Sequence, residues 1–215
     1  MRSVLVTGGT VRLGKAIADR LRADGWRVIT SSHRADAGAD LVADLSAPLG
    51  AEKLYAAAIG LLGGDPPDAL VNNAALFTGD GKTVREVNFT SPQKLTMMMA
   101  GRETGVGAVV NILDAGVSGA SDRETLAPPA YAESKRDLRA FTVSSALMFA
   151  ATLRVNGVAP GPVLAPEGLH ERAGRLLLAH RPTAADVAAA VAFLLDAPAT
   201  TGCILPVDGG KGLLG

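Results

Sequence analysis

Short β-branched runs alternate with alanine-rich helical stretches along all 215 residues, and that alternation leaves few folds open. The pattern predicts strands from Ser3 to Val6, Arg27 to Thr30, Asp40 to Val42, Ala69 to Asn72, Ala108 to Leu113, Arg154 to Val158 and Ile204 to Val207. Helices are expected from Gly14 to Ala23, Ala51 to Leu62, Arg85 to Gly101 (with Pro92 interrupting its pattern), Ala132 to Ala151 and Thr183 to Leu195. The last of these opens on Thr183 with Asp186 three residues later, a capping box with Asp in place of Glu. Strands joined by crossover-length helices imply a parallel sheet covered on both faces. The expectation is an α/β, doubly wound, Rossmann-type sheet in a single domain spanning 1–215, since no repeat or linker divides the chain.

Charge narrows the partners. Basic and acidic residues balance at 21 each, with no basic stripe, so no nucleic acid is expected. The longest apolar run near the C-terminus, Val187 to Leu195, is about half a membrane span. A glycine turn follows the first strand at once, which is unlike a secretory signal, so a cytoplasmic protein is expected. Cys203 has no cysteine to pair with and reads as a small hydrophobe. His170 and His180 lack a second ligand at metal spacing, and no metal is expected. Met97 to Met99 suit core or subunit packing, and Arg172, Arg175 and Arg181 suit a solvated helix face.

In doubly wound sheets ligands bind beyond the carboxyl ends of the strands, so those residues carry the functional reading. After the first strand comes TGGTVRLG, with Gly8, Gly9, Arg12, Leu13 and Gly14. Glycine lets backbone approach a phosphate, and the following helix aims free N–H groups at an anion. After the second strand stand His33 and Arg34, where a NAD site would place an acid for the ribose hydroxyls. A cation and hydrogen-bond donors there suit a 2′-phosphate, which favours NADP(H). Asp44 and Leu45 follow the third strand, placed to receive an adenine amino group and cover its ring. Asn73 and Ala74, within Asn72-Asn73-Ala74-Ala75, offer small side chains where a dinucleotide lies flat. Tyr131 and Lys135, four residues apart, share one face of a helix. A cation beside a phenol would bring its pKa down from about 10 toward neutrality, fitting it to exchange a proton with a substrate.

These pieces, in this order, resemble the short-chain dehydrogenase/reductases over nearly the whole length. They are TGGTVRLG at 7–14, DL at 44–45, NNAA at 72–75, Asn88, VVNILDA at 109–115, YAESK at 131–135, RVNGVAPG at 154–161 and VDGG at 207–210. The resemblance implies hydride transfer between a nicotinamide and a carbonyl or imine carbon. Within that family the pteridine reductases are the nearer likeness. They resemble this chain in TGxxxRLG, with Arg12 where many members have Gly, and in the pair His33-Arg34. They also carry Asp where most members place a catalytic Ser, as Asp114 stands here, and a Phe like Phe77 that covers the pterin.

The resemblance therefore implies an NADPH-dependent reductase of pterin-type substrates. Tyr131 and Asp114 would deliver the proton as a coupled pair, Asp114 reaching a ring nitrogen directly or through Tyr131. A carboxylate at 114 would itself disfavour tyrosinate. Lys135 would bind the nicotinamide ribose, Asn88 would support a proton-relay water near Lys135, and Arg12 would lie over the pyrophosphate and near the substrate. Pro160 and Gly161 would approach the nicotinamide, while Asp208, Gly209 and Gly210 would serve strand-end packing and subunit contact. A short lid is expected around 162–182, with Ala165 unable to reach the carboxamide as Thr or Ser would. A homo-oligomer, dimer or tetramer, is implied. The alternatives are a carbonyl reductase of the same fold, acting on a ketone, 3-oxoacyl thioester or sugar, and a catalytically silent NADP-binding sensor.

Overall fold

Seven parallel strands form one sheet in the order β3-β2-β1-β4-β5-β6-β7, so the doubly wound α/β expectation holds. The computed structural model describes residues 1–103, 105–118, 127–164 and 176–214. The strands are β1 (Ser3–Thr7), β2 (Arg27–Ser32), β3 (Leu41–Val42), β4 (Ala69–Asn72), β5 (Gly107–Ile112), β6 (Leu153–Pro160) and β7 (Ile204–Val207). The helices are α1 (Arg12–Ala23), α2 (Gly50–Leu61), α3 (Gly81–Arg85), α4 (Ser91–Ala100), α5 (Ala115–Ser118), α6 (Pro129–Met148) and α7 (Ala184–Asp196). Strand order reverses between β1 and β4, and a sheet of this kind opens its ligand crevice at that switch point.

Alternate side chains of each central strand feed two cores, which is why β1 reads as an unbroken apolar run. Val4, Val6, Val71 and Val110 pack against α1 and α7 through Ile17, Leu21, Val191 and Leu194. Leu5, Leu70, Val109 and Leu153 face α2 and α4 through Leu54, Leu95 and Met99. Leu5, Leu70 and Leu54 are almost wholly buried, and each such side chain contributes about 2 kcal/mol. Of the methionine run, Met99 enters this core while Met97 stays exposed.

Some element ends differ from expectation for local reasons. The helix expected from Arg85 begins at Gly81, because the Asp80 carboxylate caps it by accepting the Thr83 N–H at 3.0 Å. It then widens into a π turn over Glu86–Thr90 before α4. Pro92 has no N–H for the carbonyl four residues back, and the wider turn accommodates that loss. Helix α6 starts at Pro129, three residues before the expected Ala132, since proline is tolerated in a first turn. The capping box of α7 forms as read: Asp186 N–H donates to Thr183 Oγ1, and Thr183 N–H donates to Asp186 Oδ2. Arg154, the first residue of RVNGVAPG, donates to the carbonyls of Leu194, Leu195 and Ala197 at the C-terminal end of that helix. Among the described residues no helix is long and apolar enough to cross a membrane.

Candidate active site

At the switch point two turns lock together. The Thr7 hydroxyl oxygen accepts the backbone N–H groups of Asn73 and Ala74, both at 3.0 Å. In return the Asn73 amide donates to the carbonyls of Thr7 (3.0 Å) and Gly8 (3.1 Å). Gly8 has φ +63, a left-handed conformation that glycine adopts without strain. A Cβ on Gly14 would fall 2.0 Å from the Gly8 carbonyl oxygen and 2.5 Å from Asn73 Nδ2, so only glycine lets α1 start this close to the turn. The side chain of Asn73 is thus a clamp holding the turn, whereas the sequence suggested a surface for a dinucleotide to lie on. Ala74 packs half-buried on the α2/α4 core and Leu13 on the opposite one.

The first turn of α1 has no side-chain cap and no acidic residue. Its free N–H groups and positive dipole end make an anion site. Arg12 stands there exposed at φ 51, a left-handed backbone that explains why a glycine can occupy such a position. A phosphate-bearing cofactor fits this cradle of glycines, uncapped helix and cation.

Further along the sheet edge, His33 and Arg34 are exposed just past β2. Arg34 is engaged by Asp36 through two hydrogen bonds, at 3.0 and 2.8 Å. Asp44 accepts from the backbone and hydroxyl of Ser46, which hold its carboxyl below the usual range. Leu45 is a correction: its side chain is buried in the α2/α4 core and its carbonyl accepts from Ser91 Oγ, so it cannot cover an adenine ring. Apolar side chains beside a strand end partition into the core first.

The second cluster joins the end of β5 to the start of α6. The Tyr131 hydroxyl donates to Asp114 Oδ2 at 2.9 Å, and Asp114 Oδ1 accepts the Gly116 N–H at 2.7 Å, fixing the carboxylate on the first turn of α5. The ring of Phe77 lies 4.9 Å from that of Tyr131, tilted by 58°, so Phe77, Asp114 and Tyr131 share one wall. Lys135 reaches under the tyrosine: Nζ donates to the Ile112 carbonyl at 2.8 Å and lies 5.8 Å from the ring centroid. Tyr131 and Lys135 are both buried.

Burial corrects the expected acidity. The Tyr131 phenol is pushed well above 10 by desolvation, then by the Asp114 charge and by its bond to that carboxylate. The sequence suggested that Lys135 would bring it toward neutrality. Instead the amine faces a carbonyl, while the carboxylate holds the phenolic proton. Lys135 itself falls to about 8 through desolvation, with Asp114 opposing the shift.

Asn88 sits in the π turn, wholly buried. Its carbonyl oxygen accepts the Leu76 N–H at 2.7 Å, and its amide donates to the Leu76 carbonyl and Ser134 Oγ at 2.9 and 3.1 Å. It therefore ties the loop after β4 to α6, one residue from Lys135, and makes no direct bond to that lysine. β6 runs two residues past the expected Val158, so Pro160 is its last residue and is buried. Gly161 packs so closely that a Cβ would meet Asp208 at 2.7 Å. Asp208 accepts from the N–H groups of Gly210 and Gly212, as strand-end packing requires.

At the other side of the site, Arg181 is not a solvated arginine: it donates twice to the Pro162 carbonyl, at 3.1 and 2.8 Å. His180 pairs with Asp186 at 3.0 Å, at the start of α7. Ala165, His170, Arg172 and Arg175, with 165–175 of the expected lid, lie outside the described residues.

Comparison with known proteins agrees with this frame. The family model for the short chain dehydrogenases matches residues 2–173. The chain belongs to the short-chain dehydrogenase family, whose members are nicotinamide-dependent oxidoreductases. It is 32% identical to the granaticin polyketide synthase putative ketoacyl reductase 2 of Streptomyces violaceoruber, over 98% of this chain and 96% of that protein. That alignment spans 246 positions, more than the 215 residues here, so the relative carries segments this chain lacks. Identity is 30% to the 3-oxoacyl-[acyl-carrier-protein] reductase MabA of Mycobacterium tuberculosis, over 99% and 93%. Among solved structures, FolM alternative dihydrofolate reductase 1 from Brucella canis, complexed with NADP, superposes with TM-score 0.84 at 29% identity, over 99% of this chain and 94% of that one. A blue fluorescent protein from a metagenomic library, in complex with NADPH, gives TM-score 0.85 at 28% identity, over 97% of both chains.

Proposed function

We propose that this protein is an NADPH-dependent reductase of a pterin-type substrate, a dihydropterin or a folate-like molecule. The observation that carries the reading is the Tyr131–Asp114 hydrogen bond beside the Phe77 ring. A ketone reductase needs a neutral donor beside its tyrosine. A carboxylate instead suits the donor-rich amino-pyrimidine end of a pterin, and an aromatic wall suits its flat ring.

The cofactor when bound supplies a hydride. Reduction of a ring C=N then requires one proton at nitrogen, and the buried Tyr131 phenol would give it, with Asp114 as its partner in the relay. Lys135, held on the Ile112 carbonyl, would bind the nicotinamide ribose hydroxyls. The α1 N-terminus and Arg12 would hold the pyrophosphate, while His33 and Arg34 would hold the 2′-phosphate. Support for this assignment comes from the NADP-bound FolM dihydrofolate reductase, similar over nearly the whole chain.

A carbonyl reductase is the second reading, favoured by the two ketoacyl reductase relatives at 30–32% identity. Loss of NADPH absorbance with 7,8-dihydropterin, folate, a diketone and a 3-oxoacyl thioester offered in parallel separates the two. Pterin turnover should fall about 10²- to 10⁴-fold in Tyr131→Phe and be lost in Asp114→Ser. Turnover of the carbonyl substrates alone would sink the pterin reading and keep the fold and cofactor. Binding of NADPH with no turnover of any substrate would leave the silent sensor. Exposed Val143, Leu147 and Met148 on α6 support a homo-oligomer, which light scattering would register as a dimer or tetramer mass.

A further inference from the structure

The turn after β2 carries both the side chains proposed for the 2′-phosphate and an acid that pairs with one of them. Arg34 grips the Asp36 carboxylate with a two-pronged fork, Nε to Oδ1 and Nη2 to Oδ2. The partners are two residues apart, and Asp36 lies in the 3₁₀ turn Ala35–Ala37, closed by Gly38 at φ 65. The pairing is therefore local and needs no distant element to hold it. Asp36 stays below the usual carboxylate range chiefly through the Arg34 hydrogen bond and then its charge, with His33 a smaller contributor. His33 also acts on Asp44, beyond β3. Arg34 and an imidazole thus stand between two carboxylates on this edge.

Resting on the NADPH reading, we infer that Asp36 is a specificity-determining residue: it competes with the cofactor's 2′-phosphate for the Arg34 guanidinium. A 2′-phosphate brings nearly two negative charges beside that carboxylate, and Arg34 must leave or share its partner to meet it. A 2′-hydroxyl brings no charge and makes no such demand. Asp36 therefore tempers the preference for the phosphorylated cofactor and leaves the unphosphorylated one alone. Both side chains are well exposed, 62% for Arg34 and 71% for Asp36, so solvent screens the pair and the effect is modest.

The experiment is a calorimetric titration of the full chain with adenosine 2′,5′-bisphosphate and with AMP, which needs no turnover. The proteins are wild type, Asp36→Asn, Arg34→Ala and the double variant, with circular dichroism to confirm folding. Asp36→Asn should tighten the bisphosphate about two- to fivefold and leave AMP unchanged. In the Arg34→Ala background the same change should tighten the bisphosphate clearly less, only direct repulsion by the carboxylate being left to relieve. Equal tightening with and without Arg34 would overturn the inference, because it would show repulsion by the carboxylate and not competition for the guanidinium. No tightening in Asp36→Asn, in a wild type that prefers the bisphosphate and loses that preference in Arg34→Ala, would overturn it while sparing the NADPH reading. A wild type that binds bisphosphate and AMP alike would sink that reading and the inference with it.

Discussion

The two halves of the site are built from different physics. Around the β1–α1 and β4 turns the contacts that lock the backbone are neutral: amide to carbonyl, amide to hydroxyl, and backbone against backbone with no room for a Cβ. Around β5 and α6 the contacts join ionisable groups in a buried place, with Tyr131 pushed up and Lys135 pushed down. The first half is a shape and should yield to bulk. The second is an electrostatic arrangement and should yield to pH. Binding a phosphate chain requires a fixed backbone, whereas moving a proton requires groups whose charge can change.

Three measurements would break or sharpen that contrast. The largest effect is expected from Gly14→Ala. Its methyl group would overlap the Gly8 carbonyl, so urea unfolding should show a loss of about 3 kcal/mol, with cofactor binding lost as the turn is displaced. A variant as stable as wild type would show that the turn is loose.

Next comes pH. Between pH 8 and 10.5 the unfolded chain keeps a proton on residue 135 that the folded chain has lost. Stability should therefore rise with pH through that window, by ~3 kcal/mol over its full width, and show no Lys135 slope below pH 8. Above about pH 10, Tyr131 opposes the trend, since its phenol ionises in the unfolded chain before it does in the folded one. Urea melts of wild type and Lys135→Met across this range isolate the lysine; identical slopes would refute a depressed amine.

The smallest of the three is Asn73→Ala. It removes two hydrogen bonds to the Thr7 and Gly8 carbonyls and should cost about 2 kcal/mol. NADPH binding should weaken while the rate at saturating cofactor is kept. A fall in that rate with binding unchanged would join the two halves and end the comparison.

Much of this was legible in the residues. β4 and β7 begin and end where composition placed them, and Gly8 and Gly14 hold the conformation and the close approach that their spacing implied. A four-residue step put Tyr131 and Lys135 on one face of α6. Other residues were not readable. Asn73 looks like any asparagine in a turn, and its clamp on Thr7 joins positions 66 residues apart. Leu45 follows a strand end, but a long-range core claims it. Arg181 looked solvated until the chain brought Pro162 beneath it.

By itself the sequence determined the order of elements, the parallel sheet and the residue types at each strand end, because periodicity, glycine conformation and helix spacing are local properties. Only the tertiary structure decided which way the protons lean. Charge depends on burial and on neighbours contributed by different elements. Asp114 from the end of β5 holds the Tyr131 proton, and the Ile112 carbonyl takes the lysine that would have drawn that proton away.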